Sequence, residues 1–235
     1  MAYHEAARVG ELVEQISVLA DLRQKEGDFR KAESLYREAL YRVQDLRRPD
    51  HGLLAGIYSL MAYLYDRWGK LPEAAQFYEK ALQISEEHGL QDADKSATIR
   101  NNLAMIFKSL RQYPKAEQYY LEALESFRGQ YGEQNPKVAS VLNNLGVLYY
   151  ASLDVDKAQQ MHERALTIRQ QLGEAELDAG DLSQTYINLG AVYKAQGDFQ
   201  RAEECVDRAK RLRASVNGFN PIPRRSASLL LDRSA

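Results

Sequence analysis

Residues 141–166 read VLNNLGVLYYASLDVDKAQQMHERAL, and the same alternation of small and large residues returns four more times along the chain. Leu142, Leu145, Gly146 and Tyr149 follow one another at the spacing i, i+3, i+4 and i+7. This spacing places the four residues on one face of an α-helix. The small residue lets a second helix approach closely, and the tyrosine one turn later fills the space beside it. A second helical stretch with small residues at Ala158 and Ala165 follows after a short turn. The stretch therefore predicts two helices that pack against each other.

This two-helix unit recurs with a nearly constant period. The anchor of the second helix stands at Ala32, Ala74, Ala116, Ala158 and Ala202, so the successive steps are 42, 42, 42 and 44 residues. The small residue of the first helix keeps the same register, at Ala20, Ala62, Ala104, Gly146 and Gly190. Such a period is typical of solenoids, whose units bury their apolar faces only against their neighbours. We expect an array over residues 1–215 of five helix-turn-helix repeats, at about 13–54, 55–96, 97–138, 139–182 and 183–215. Residues 216–235 are expected to form a tail that caps the array or is disordered.

Helix boundaries are also readable in the sequence. Prolines suit a first helical turn at Pro72 and Pro114. Helix N-caps are predicted at Asp50, Asp94, Asn135 and Asp181. In three repeats the turn between the two helices has a glycine, at Gly27, Gly69 and Gly197. In the other two repeats Arg111 and Leu153 occupy this position. Two further departures from the repeat pattern are Arg23 and Val206, which replace aromatic residues.

Composition excludes several classes of function. The 31 basic and 33 acidic residues give a net charge of −2, so no overall field favours nucleic acid or anionic lipid. No apolar stretch is long enough to insert into a membrane, and the single cysteine, Cys205, fits a buried, inert thiol in a reducing compartment. Phosphate-binding, nucleophile-elbow and zinc motifs are missing, and the four histidines are not paired at helical spacing. We expect a cytoplasmic protein that is not an enzyme and needs no cofactor or metal.

The repeats resemble the tetratricopeptide repeat (TPR) family. Its signature is carried in the last repeat by Tyr186, Leu189, Gly190, Tyr193, Ala202 and Ala209. The 42-residue period and segments such as YGEQNPKVASVLNNLGVLYY are similar to the repeats of kinesin light chains. The resemblance covers roughly residues 13–215. It implies an all-α, right-handed α-α superhelix, with the first helices on the concave face and the second helices on the convex face.

The resemblance also suggests which residues would hold a ligand. In kinesin light chains and chaperone-binding relatives, asparagines on the first helices hold the backbone of a bound peptide, and this role carries over to Asn102, Asn144 and Asn188. A carboxamide offers both a donor and an acceptor, which is what sequence-tolerant capture of a peptide backbone requires. Asn101 and Asn143 stand beside this column. Solvated asparagines on an exposed helix face are the alternative interpretation.

Other groove candidates are aromatic or charged. Tyr63 and Tyr150 fall on the groove side and would add apolar area with a polar tip. Lys108, Lys194 and Arg67 could supply counter-charge to an acidic or apolar-acidic segment, although charged residues often only keep a helix face hydrated.

Two functions from different classes remain open. The first is a non-enzymatic adaptor, a protein-interaction module that binds a peptide segment of a partner protein in its concave groove. The second is a self-assembling TPR scaffold, a homo-oligomer that associates through repeat ends or the convex face. A catalytic or regulatory piece of a larger chain is less favoured, because the sequence has no catalytic motif and begins at Met1. In the tail, Leu229–Leu231 could cap the array or lie in the groove.

Overall fold

A computed structural model of the chain describes residues 2–90, 92–172 and 178–217. All the regular secondary structure of these residues is α-helical, in ten helices. The chain divides into two compact units at the boundary between Leu110 and Arg111. This boundary lies between the two helices of the third predicted repeat. Residues 216 and 217 of the predicted C-terminal tail belong to the last described helix, and the rest of the tail, with Leu229–Leu231, lies outside the described residues.

Unit 1 contains the first five helices. They are α1 (Ala2–Lys25), α2 (Phe29–Gln44), α3 (His51–Arg67), α4 (Leu71–Glu87) and α5 (Ala93–Ser109). Each helix packs against the next one along the chain. The small residues of the repeat pattern lie at these contacts, since Ala20, Ala32, Ala62, Ala74 and Ala104 are completely buried. Large side chains such as Tyr36, Met61 and Tyr78 fill the space beside them.

Unit 2 contains the other five helices. They are α6 (Tyr113–Tyr131), α7 (Pro136–Ala151), α8 (Val155–Gln171), α9 (Ala179–Ala195) and α10 (Phe199–Asn217). Successive helices again pack together, and the first helices α7 and α9 also touch directly. Its core is built from the same positions, including Tyr120, Leu145 and Leu189. Cys205 is buried as predicted, in a cluster with Tyr193 and Ala202.

Most of the predicted helix boundaries are correct. Asp50 and Asn135 cap α3 and α7 by accepting backbone N–H bonds from Leu53 and Lys137, and Pro72 and Pro114 lie in the first turns of α4 and α6. The predictions for α5 and α9 were wrong. The N-cap of α5 is Asp92, and the N-cap of α9 is Asp178. Asp94 and Asp181 lie inside the first turns, where a carboxylate is also favourable, so residue type alone does not separate the two positions.

The turn inside each repeat uses the left-handed backbone region, whatever residue occupies it. Gly27, Gly69 and Gly197 have φ near 80°, and Arg111 and Leu153 adopt φ values of 59° and 67°. In the turn with Leu153, the N–H of Asp154 bonds to the carbonyl oxygen of Tyr149 at 2.8 Å, and the glycine-containing turns close with an equivalent bond. The backbone bonds therefore set this conformation, at a cost of about 1 kcal/mol for a leucine.

Tyrosine-glutamate hydrogen bonds link α2 to α3 and α6 to α7. The hydroxyl of Tyr65 on α3 donates to Glu33 on α2 at 2.6 Å, and in unit 2 Tyr149 on α7 donates to Glu117 on α6, also at 2.6 Å. Both bonds span 32 residues and join the second helix of one repeat to the first helix of the next. In the following pair the matching glutamate is a glutamine, Gln159, and the tyrosine bonds elsewhere on the helix.

Candidate functional site

The predicted groove residues are divided between the two units. In unit 1 they lie on α3 and α5, as Tyr63, Arg67, Asn101, Asn102 and Lys108. In unit 2 they lie on α7 and α9, as Asn143, Asn144, Tyr150, Asn188 and Lys194. Each group is described within its own unit.

In unit 1, one face of α5 carries polar and apolar side chains in successive turns. We call Asn101, Asn102, Met105 and Lys108 the α5 stripe. Both asparagines are half-buried, and Met105 is exposed. The spacing from Asn101 to Met105 to Lys108 is four and three residues, so the three side chains follow one another along the helix.

Three contacts of the asparagines in the α5 stripe are long. The amide nitrogen of Asn102 donates to the hydroxyl of Tyr78 on α4 at 3.3 Å, and its oxygen accepts from Asn101 at 3.4 Å. The Asn101 nitrogen also lies 4.0 Å from the sulfur of Met105. Bonds near the upper limit of the useful range are weak. A ligand that offered shorter bonds could therefore compete for the carboxamide of Asn102.

Lys108 is the electrostatic feature of the stripe. It is half-buried, and burial alone lowers the pKa of its ammonium group from the ordinary value. In the described part of unit 1, no carboxylate lies within ion-pair distance of Lys108. A carboxylate placed beside Lys108 would stabilise the charged form of the ammonium group, which burial disfavours.

The α3 candidates are placed less uniformly. Tyr63 is half-buried and Arg67 is exposed. Beside them, Asp66 is half-buried, and burial raises the pKa of its carboxyl group while neighbouring Arg67 opposes the shift. Leu60, which shares the register of the asparagine column, is buried in the core. On α3 this register therefore contributes packing, and the polar candidates begin one turn later.

In unit 2 the asparagines form an internal network. Asn143 is buried, and its side-chain oxygen accepts from Asn188 on α9 at 3.0 Å and lies 3.0 Å from Nδ1 of His162 on α8. Asn188 also accepts from Gln184 at 3.1 Å. The carboxamide oxygen of Asn143 is therefore committed inside the protein, joining three helices. Asn144 and Asn188 remain half-buried, and Tyr150 and Lys194 are exposed.

His162 occupies the position that is a tyrosine in the first three repeats. Its ring lies against Gly146, where an added Cβ would be 2.5 Å from Cε1. Burial, with a smaller contribution from the positive charge of Arg169, lowers the pKa of His162 to about 4. The ring is therefore neutral at physiological pH, with its Nδ1 hydrogen directed at Asn143. Because Gly146 has no Cβ, the imidazole ring of His162 can lie directly against the backbone of α7.

Arg169 is a buried residue that the sequence analysis missed. Its guanidinium donates to the backbone oxygen of Asp181 at 3.0 Å and to the hydroxyl of Thr185, both on α9. It also reaches Ser140 on α7 at 3.3 Å and the Asp181 carboxylate at 3.4 Å. An arginine in an amphipathic helix reads as a solvated residue, and no local pattern shows that it points at the next repeat.

No group in the described residues has the composition of a metal site of three or more ligands. His51 and His88 stack with their ring centroids 3.4 Å apart, although 37 residues separate them in sequence. They join the start of α3 to the end of α4. In the described part of the chain, no helix is long and apolar enough to cross a membrane.

Family comparisons agree with this geometry. Models of the tetratricopeptide repeat family match residues 14–87, 95–171 and 182–222. The chain therefore belongs to the TPR family, and the predicted all-α fold class is confirmed.

Solved structures add particular relatives. The crystal structure of BtubC (BKLC) from P. vanneervenii is 70% identical, with a TM-score of 0.85 over 99% of this chain and 92% of that one. Kinesin-light-chain TPR-like repeats from Podosopora anserina are 17% identical, with a TM-score of 0.71 over 87% of this chain and 96% of that one. The predicted likeness to kinesin light chain repeats is thereby confirmed at the level of fold. A Rap protein complexed with Competence and Sporulation Factor is 18% identical, with a TM-score of 0.68 over 86% of this chain and 54% of that one. No protein of curated function matches the chain significantly.

Proposed function

We propose that this protein is a non-enzymatic cytoplasmic adaptor whose first helices bind an extended peptide segment of a partner protein. The TPR fold is typical of protein-interaction modules, and its members are generally not catalysts. The observation that carries the proposal is the α5 stripe. There, half-buried carboxamides, an exposed methionine and a partly desolvated lysine stand in successive turns of one helix face.

Each part of the α5 stripe suits a different part of a peptide. Asn101 and Asn102 can pair with backbone N–H and C=O groups, which every peptide offers. Met105 is a flexible apolar side chain of the kind that adapts to varied ligand side chains. Lys108 favours a carboxylate, because burial has already removed part of its hydration. An apolar-acidic segment therefore fits this face best.

The unit 2 candidates take a reduced part in the proposal. Asn144, Tyr150 and Lys194 present side chains outside the core of α7 and α9. Asn143 is assigned to structure, because its oxygen accepts two hydrogen bonds inside the protein. Asn188 has a mixed position, since it is half-buried and also bonded to Asn143.

Peptide selection from a random library, followed by calorimetry, tests the proposal. Replacing Asn101 and Asn102 together with alanine is expected to weaken binding of a selected peptide by about tenfold, the equivalent of one or two lost hydrogen bonds. Lys108→Gln should weaken acidic peptides more than neutral ones. Gln83→Ala is the matched control, because Gln83 is an exposed amide on α4 that donates to Glu87 of the same helix.

Helical circular dichroism must stay unchanged in every variant. Equal affinity of the double variant and the control variant for every selected peptide would contradict the proposed site. Failure of the whole library to bind would contradict the adaptor function itself.

A further inference from the structure

The first helix of the protein exposes three apolar residues, and two of them match positions that the later repeats bury. Val18, Leu19 and Leu22 on α1 are 60%, 39% and 50% exposed. The residues that match Leu19 and Leu22 in the later repeats are at most 2% exposed, and they are Met61, Leu64, Leu103, Ile106, Leu145, Leu148, Leu189 and Val192. The N-terminal end therefore presents a repeat interface that has kept its apolar side chains.

The last helix of the described residues, α10, exposes the opposite half of that interface. Val206 on α10 is 39% exposed, whereas the residues that match it, Tyr36, Tyr78, Tyr120 and His162, are at most 2% exposed. Val206 lines a cleft of about 400 Å³ between α9 and α10, together with Gly190, Ala191 and Ala202. Inside the chain, this side of a second helix is covered by the first helix of the next repeat.

Suppose that α10 of one copy packs against α1 of another copy as a second helix packs against the first helix of the next repeat. The contacts between neighbouring repeats within the chain then show which residues of the two copies would meet. The register is counted from the small residue of each helix, which is Ala202 for α10 and Ala20 for α1. Three contacts that join neighbouring repeats can be transferred in this way, and each gives a complementary pair.

The first transferred contact is the tyrosine-glutamate bond. Tyr65 and Tyr149 correspond to Arg23 on α1, and their acceptors Glu33 and Glu117 correspond to Glu203 on α10. The variant contact of Tyr193 with Glu163 corresponds to Arg23 with Asp207. On α1 an arginine thus replaces the tyrosine, and in the docked arrangement it would face the two acidic residues Glu203 and Asp207. The Nη1 of Arg23 pairs with Glu26 at 2.7 Å, whereas its Nε is buried with no hydrogen-bond partner among the described residues.

The second contact is the buried arginine of α8. Arg169 meets Asp181 of α9, and the corresponding residues are Arg213 on α10 and Glu11 on α1. Both are exposed. The same pair of charges therefore recurs across the two ends of the chain, in the same order.

The third contact is apolar. Tyr78 and Asn102 bond to each other across α4 and α5, and their counterparts at the ends are Val206 and Val18. A polar pair inside the array is thus replaced by two valines at the ends, each exposed in the single chain. Burying them against each other would remove apolar surface from water.

From these three pairs we propose that α10 of one copy docks on α1 of a second copy, in the register of a neighbouring repeat. Because the two surfaces differ, the contact is heterologous and leaves a free end on each side for further copies. Lys210 stands where Leu166 stands in the preceding repeat, and its aliphatic stem can cover Leu19 while its ammonium group stays at the rim. This association is separate from the peptide binding proposed above.

Sedimentation velocity on the full chain over a wide concentration range tests the proposal. We expect concentration-dependent assembly, weakened about tenfold or more in midpoint by Glu11→Arg or by Arg213→Glu. The double variant with both changes should recover assembly, because every contact again joins opposite charges. Leu153→Asp is the matched control, since Leu153 is 86% exposed in the turn between α7 and α8, and it should assemble like the unaltered protein.

A mixing experiment separates this arrangement from others. Val18→Asp blocks the α1 end and Val206→Asp blocks the α10 end, so each variant alone should be a monomer. An equal mixture should form a one-to-one dimer and nothing larger, because one intact end of each kind remains. A dimer of either variant alone, or no dimer in the mixture, would overturn the proposal. So would a monomeric full chain that assembles only after deletion of residues 218–235, because the tail would then be the natural cover of an end.

Discussion

His162 is buried in its neutral form, so the stability of unit 2 is expected to depend on pH over a defined range. The folded pKa is about 4, whereas an unfolded chain has a histidine pKa near 6.5. The folded protein therefore binds this proton less readily than the unfolded chain does. The stability that neutral His162 provides is complete above pH 6.5 and falls as the pH drops towards 4.

The size of the effect follows from the same two values. Each unit of difference in pKa corresponds to about 1.4 kcal/mol, so the loss is about 1.4 kcal/mol at pH 5.5 and about 2.5 kcal/mol at pH 4.5. The physical cause is the exclusion of water from the ring, which contacts Gly146 and Asn143, with the charge of Arg169 as a further penalty on the protonated form.

Urea unfolding at pH 7.5, 5.5 and 4.5, followed by circular dichroism at 222 nm, measures the effect. His162→Gln keeps a polar group near Asn143 but cannot titrate, so the free-energy difference between the unaltered protein and this variant should shift by the stated amounts. Carboxylates titrate equally in both proteins and cancel. Gln160→His is the matched control, because it places an imidazole on the exposed side of the same helix.

Two results would refute the reasoning. A difference between the unaltered protein and His162→Gln that stays constant from pH 7.5 to 4.5 would show that the ring is not buried in its neutral form. A nuclear magnetic resonance titration of the His162 ring with a midpoint near 6.5 would show the same directly.

Three further outcomes follow from individual contacts. Gly146→Ala should lower the free energy of unfolding by about 1–3 kcal/mol, because the new methyl group would stand 2.5 Å from the His162 ring. Tyr149→Phe should lower it by about 1 kcal/mol through loss of the 2.6 Å bond to Glu117. Burial raises the pKa of the Cys205 thiol, so at pH 8 a thiol reagent should react with it slowly in the folded protein and rapidly in urea. Urea unfolding checks the first two, and absorbance with a chromogenic disulfide checks the third.

Each of these outcomes has an internal comparison. Gly190→Ala should cost less than Gly146→Ala, since its nearest neighbour is a backbone oxygen at 3.3 Å. Tyr150→Phe should leave stability unchanged because Tyr150 is exposed. Equal effects within either pair, or equal thiol rates in the folded and unfolded states, would contradict the contacts described here.

The helical pairs could be predicted because their cause is local and repeated. Gly146 and Ala158 belong to patterns that recur five times, so errors at one repeat are corrected by the others. The N-caps of α5 and α9 could not be fixed in the same way. Asp92 and Asp94 are both suitable near a helix start, and the choice depends on backbone geometry outside the pattern.

The candidate site was predicted less completely, because a helical register does not show how far a neighbouring helix reaches. Asn143 is adjacent to Asn144, yet the first is buried beneath α8 and α9 and the second is half-buried. The side-chain oxygen of Asn143 accepts from Asn188 and lies 3.0 Å from the His162 ring, and no local pattern on α7 shows these contacts. The burial of Arg169 could not be predicted for the same reason, because its partners lie 12 and 16 residues away on the next helix.

The tyrosine-glutamate bonds, which span 32 residues, also bear on how the protein folds. In each unit, contacts join helices that are adjacent or nearly adjacent in sequence. Little chain entropy is lost before such contacts form, so a low contact order favours rapid folding that can start at more than one helix pair. Hydrogen exchange should then report openings that begin at individual pairs. Tyr65 and Tyr149 would act as couplers that set how far each opening spreads before it closes.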